Sequence, residues 1–128
     1  MTMQEIFNRV CEHAVTQNAK SENYDCDSPV YGCAYRGDDG RKCFLGVLIT
    51  DEAYDPDLEG KTVASCSVRR ALESSGIQST GEPRKWYFLS QLQDVHDDHE
   101  PHEWPRELRN LGDKYNLAIP ACILDPTR

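Results

Sequence analysis

Three groups of side chains have the types and spacing to do chemistry. His96, His99 and His102 fall at i, i+3 and i+6 in an acidic stretch from Asp94 to Glu103. Imidazole and carboxylate together bind zinc, nickel or copper. The competing reading is a polar helix end: histidine is favoured near a helix C-terminus, and Pro101 takes His102 off the helical register. No established ligand pattern has this spacing, so the polar helix end ranks first. Cys26, Cys33 and Cys43 are separated by six and nine residues. A structural zinc site normally includes a pair two to four residues apart. Cys33 and Cys43 therefore read as packing near one another, and Cys11, Cys66 and Cys122 as buried small hydrophobes in a reducing compartment.

The third group is basic. Arg36, Arg41 and Lys42 surround a turn, Arg69 and Arg70 form a second pair, and Arg84 and Lys85 a third. Guanidinium forks match phosphate geometry, and Tyr35, Trp86 or Trp104 can stack on a flat ring. The chain has 22 acidic against 14 basic residues and a formal charge of -8. Such a charge repels phosphate backbones at long range and argues against general nucleic-acid binding. Any positive pocket here is local. The acidic run from Asp51 to Glu59 lacks the spacing and glycine of a calcium loop and reads as solvated. Phosphate-loop, dinucleotide, serine-elbow and zinc-protease motifs are all missing.

The elements that must position these groups follow from periodicity. Thr2 and Glu5 have capping-box spacing, and Ile6, Val10 and Ala14 form a stripe that predicts a helix over Thr2–Ala19. Ser21–Pro29 reads as a loop. Cys33–Arg36, the Gly37-Asp38-Asp39-Gly40 reversal and Lys42–Ile49 predict a β-hairpin, its second strand apolar on both faces and Gly46 marking a bulge or close backbone approach. A second helix is expected over Thr62–Ser75, stopping at Gly76. After a turn at Ser79–Glu82, a third opens at Pro83, carries Trp86, Phe88, Leu89, Leu92 and Val95, and ends at Pro101. A fourth, opened by Pro105, carries Trp104, Leu108, Leu111 and Tyr115. Ala118–Leu124 reads as a short extended tail. The expected fold is one α+β domain, residues 1–128, with about four short helices packed around a central β-hairpin. No apolar run approaches the ~18–20 residues of a membrane span, and the first residues do not read as a signal peptide. The expected location is the cytoplasm.

The segment Cys33-Ala34-Tyr35-Arg36, with Asp39-Gly40-Arg41-Lys42-Cys43, Gly46, Leu48-Ile49, Asp51-Glu52 and Tyr54, followed by Leu92-Gln93-Asp94-Val95-His96-Asp97 and Trp104, resembles a family of small phage and bacterial proteins. The resemblance runs from the first helix to the fourth. It brings no activity with it, but it joins the hairpin to His96 and Asp97, and for a phage-encoded chain the expected location is the host-cell cytoplasm.

The leading expectation is a non-catalytic protein that captures a small anionic or nucleotide-like ligand through Tyr35, Arg36, Lys42, His96, Asp97 and Trp104. In a phage, that ligand would be a host defence signal. No metal, cofactor or membrane partner is expected, and a homo-oligomer is left open. One alternative is a small hydrolase using His96 with Asp97 or Cys43, although adjacent helix residues point apart. The other is an acidic protein-interaction module.

Overall fold

The computed structural model describes residues 1–23, 32–78 and 84–124. Cys26, most of the Ser21–Pro29 loop, the Ser79–Glu82 turn and Pro83 lie outside the described residues. Helix α1 spans Met3–Gln17. The Thr2 hydroxyl accepts from the Glu5 amide at 3.1 Å and the Glu5 carboxylate from the Thr2 amide at 3.0 Å. Two donors that the helix start would leave unmet are thereby satisfied. The helix stops where Asn18 turns left-handed, at φ 47°.

Helices α2 (Cys66–Ser74), α3 (Lys85–Asp98) and α4 (Trp104–Lys114) follow. Thr62–Ser65, expected within α2, is a turn preceding it. Gly76 at φ 99° ends the α2 region, with the Ile77 amide returning to the Leu72 carbonyl at 2.9 Å. None of these helices is long enough to persist alone in water. They are held by burial of their stripes: Ile6, Phe7 and Val10 of α1 meet Phe88, Leu89 and Leu92 of α3 and Leu108 and Leu111 of α4 in one core. Gly112 allows α1 and α4 their close approach, since a Cβ there would stand 2.7 Å from the Phe7 ring.

The hairpin-centred α+β architecture does not form; the fold is mostly helical. Among the described residues, β structure is limited to β1 (Glu22–Asn23) paired antiparallel with β2 (Gly32–Cys33), and one isolated bridge between Arg36 and Lys42. The reversal is real. Asp39 and Gly40 take positive φ and the Gly37 amide reaches the Arg41 carbonyl at 2.9 Å. The strand expected after it instead coils, with the Val47 amide on the Cys43 carbonyl at 3.0 Å and the Ile49 amide on the Leu45 carbonyl at 3.2 Å. Phe44 and Leu48, like Leu45 and Ile49, stand four apart, and all four are buried. A short run apolar all round is compatible with strand or helical turn, and here the i, i+4 spacing prevails.

Gly46 shows why the coil sits where it does. A Cβ there would lie 2.1 Å from the Tyr35 carbonyl oxygen, so the two segments meet backbone to backbone. Cys11 and Cys43 are buried. Cys66 and Cys122 are exposed, which corrects the expectation that Cys66 and Cys122 pack as core hydrophobes. Residues Ala121–Ile123 form a 3₁₀ turn rather than an extended tail, with Ile123 buried. No helix among the described residues is long and apolar enough to cross a membrane.

Candidate functional site

The chain from Cys33 to Lys42 contributes to two clefts. Glu59 fixes its course: one carboxylate oxygen accepts from the Tyr35 amide at 2.8 Å, the other from the Arg36 amide at 3.1 Å and the Tyr54 hydroxyl at 2.7 Å. From α1, Gln17 accepts from the Lys42 amide at 2.9 Å, and both Gln17 and His13 bond the Lys42 carbonyl.

The first cleft, about 220 Å³, is lined by Cys33, Tyr35, Glu59, Lys61, Gln93 and Asp97 among others. It falls below the roughly 300 Å³ at which drug-sized ligands are enclosed. The Tyr35 hydroxyl donates to the Lys61 carbonyl, and burial pushes that hydroxyl's pKa up. On α3, Asp97 Oδ1 accepts from Gln93 Nε2 at 2.9 Å and meets His96 Nδ1 at 2.7 Å. His96 Nε2 accepts from the buried Ser21 amide at 3.0 Å. A backbone amide only donates, so the ring proton sits on Nδ1 and goes to Asp97. His96 is fully buried. It stacks on Trp104 with centroids 5.4 Å apart and meets the Phe44 ring edge-on at 5.3 Å. Trp104 is buried too, its Nε1 donating to the His99 carbonyl at 3.1 Å.

Cys33, His96 and Asp97 place their ligand atoms within 4.8 Å of one another. Both ring nitrogens of His96 already have protein partners. A metal on Nδ1 would move the ring proton to Nε2, facing the Ser21 N–H, so the trio is not arranged to receive a cation. The same geometry removes His96 as a base for either cysteine. Burial pushes the Cys33 thiol up to about 12, with Asp97 adding to it, and burial pushes Cys43 to about 12 as well. Thiols held protonated at neutral pH are poor nucleophiles. Among the described cysteines, alkylation by iodoacetamide at pH 7.5 should therefore label Cys66 and Cys122 first, leaving Cys11, Cys33 and Cys43 unmodified until the protein unfolds. Peptide mass mapping checks this, and early labelling of Cys33 would contradict it. His99 lies outward, 4.0 Å from Glu103 and 3.9 Å from Glu107, and His102 is exposed. The three histidines do not converge.

The second cleft, about 300 Å³, is lined by Met1, Arg9, Lys42, Ile49, Asp51 and Ser75 among others. The bridge between Arg36 and Lys42 sets these residues opposite one another, and directly opposed side chains share a face. Arg36 donates from one terminal nitrogen to Asp51 Oδ1 at 2.6 Å and from the other to the Ile49 carbonyl at 2.7 Å. Its guanidinium lies over the Tyr54 ring, 4.9 Å from the centroid. Its Nε is buried without a hydrogen-bond partner. Lys42 Nζ stands 4.0 Å from the same Asp51 oxygen. The guanidinium holds the Asp51 carboxyl below its ordinary pKa.

Of the residues expected to bind ligand, Tyr35 and Asp97 thus line the first cleft, Lys42 lines the second, Arg36 stands behind the second cleft on its lining residues Asp51 and Ile49, and His96 and Trp104 belong to the core. Arg9, Gln93, Asp51 and Glu59 were not anticipated. Comparison with models of protein families, with curated proteins and with solved structures found no match.

Proposed function

We propose that the chain is a non-catalytic binding protein that captures a small anionic ligand at the cleft beside Arg36 and Lys42. The observation that carries this reading is the convergence of both cations on one exposed carboxylate, at 2.6 and 4.0 Å. Asp51 serves there as a stand-in for an external anion. Arg9 lines the same cleft as Lys42 and Asp51, which adds a third basic side chain near the place where an anion would bind. A guanidinium anchored by a carbonyl and a ring face is ready to bind without ordering cost. If the chain is phage-encoded, capture in the host cytoplasm would remove a signalling nucleotide.

Thermal denaturation with inorganic phosphate, pyrophosphate and mono- and cyclic nucleotides tests the reading. A ligand that binds only the folded chain stabilises it by about 2.7 kcal/mol at a hundredfold excess over Kd. The expected result is a concentration-dependent rise in Tm for at least one anion, lost in Arg36→Gln. No rise with any of them at saturating concentration, or a rise unchanged in Arg36→Gln, would overturn it.

A further inference from the structure

The two sides of the Arg36–Asp51 pair are held very differently. The Arg36 side chain is only 19% exposed, and its carbonyl bond and ring contact do not depend on Asp51. The Asp51 side chain is 84% exposed. Among the described residues its carboxylate accepts from Arg36 alone, with Lys42 nearby at 4.0 Å. An ion pair whose carboxylate stands in water contributes little to stability. Its carboxylate can swing into water at small cost, whereas the guanidinium cannot follow.

Charge sharpens the point. One carboxylate now faces two cations, and Arg9 stands on the same cleft as Lys42 and Asp51, with Glu52 exposed among its lining residues. If Asp51 swings away, the site presents at least two positive charges. The space of about 300 Å³ is roughly ten water volumes, ample for a phosphoryl group. The geometry points to Asp51 as a built-in competitor: the ligand is a phosphate monoester or similar dianion that binds by expelling the Asp51 carboxylate from Arg36 and Lys42. This rests on the anion-binding reading above and adds the ligand class and an internal brake on affinity.

The test is titration of the full chain with inorganic phosphate at pH 7.5 and low ionic strength, followed by calorimetry, in the natural protein, Asp51→Asn, Asp51→Ser and Arg36→Gln. Removing the competing charge should tighten phosphate binding about tenfold in both Asp51 variants. Arg36→Gln should abolish it. Both substitutions keep an exposed polar side chain at residue 51, so far-UV circular dichroism should be unchanged. If phosphate binds through Arg36 but the Asp51 variants bind equally or more weakly, Asp51 is a helper rather than a competitor, and the inference fails while the anion site stands. If neither the natural protein nor the Asp51 variants bind phosphate, the inferred ligand class fails, and the anion site fails with it only where pyrophosphate and the nucleotides also leave Tm unchanged.

Discussion

His96→Ala should destabilise the fold by about 3–5 kcal/mol, the range of large aromatic truncations in a core. Three losses coincide. The ring fills a fully buried site between Phe44 and Trp104. The buried Ser21 amide loses its acceptor, and an unmet buried donor alone costs about 1–3 kcal/mol. Asp97 loses one of two donors on Oδ1. For a domain of this size the drop in Tm should be roughly 10–20 °C. Urea denaturation measures it. A loss under about 1 kcal/mol would mean that His96 is not the core residue described here. His96→Gln offers an amide oxygen for the Ser21 N–H and should recover part of the deficit. A variant of the hydrolase reading expects the opposite pattern, with stability kept and turnover lost.

Gly46→Ala should cost about 3 kcal/mol, at the upper end of overpacking effects. The requirement is steric rather than conformational, because Gly46 is not at positive φ. Its Cβ would sit 2.1 Å from a backbone oxygen, and neither partner is a flexible side-chain end. Glu59 holds the Tyr35 and Arg36 amides in place, so Tyr35 cannot withdraw without breaking those bonds. Relief by shifting the 43–49 coil would disturb the Ile49 carbonyl that anchors Arg36. Gly46→Ala should therefore weaken anion binding as well as lower Tm. A substitution tolerated within 0.5 kcal/mol, the range of neutral surface changes, would show that the backbone contact is not as close as described.

The helices were legible because local signals and burial agree. Thr2 and Glu5 mark the start of α1 by capping chemistry, and the i, i+4 stripes of α1, α3 and α4 are the faces that pack. The turn at Gly37–Gly40 was legible for the same reason, since glycine and aspartate supply its backbone geometry. The following run was not, because Phe44, Leu45, Leu48 and Ile49 satisfy a buried strand and a buried helical turn alike, and only the partner backbone at Tyr35 decides. Arg36 and Lys42 stood out as scarce cations flanking a turn. Asp51 did not, since nothing in an acidic stretch with Glu52, Asp55, Asp57 and Glu59 says which carboxylate folds back. His96 invited a chemical reading among its acidic neighbours. Its register told another story: it follows Leu89 and Leu92 by seven and four residues on the buried face of α3.

The most direct measurement of the central claim is a phosphate titration of isotope-labelled protein followed by amide and arginine side-chain NMR shifts. Saturable changes are expected at Arg36, Lys42 and Ile49–Asp51, including the Arg36 Nε–H, and should disappear in Arg36→Gln. Saturable changes centred instead on Cys33, Gln93 and Asp97, or none at any concentration, would contradict it.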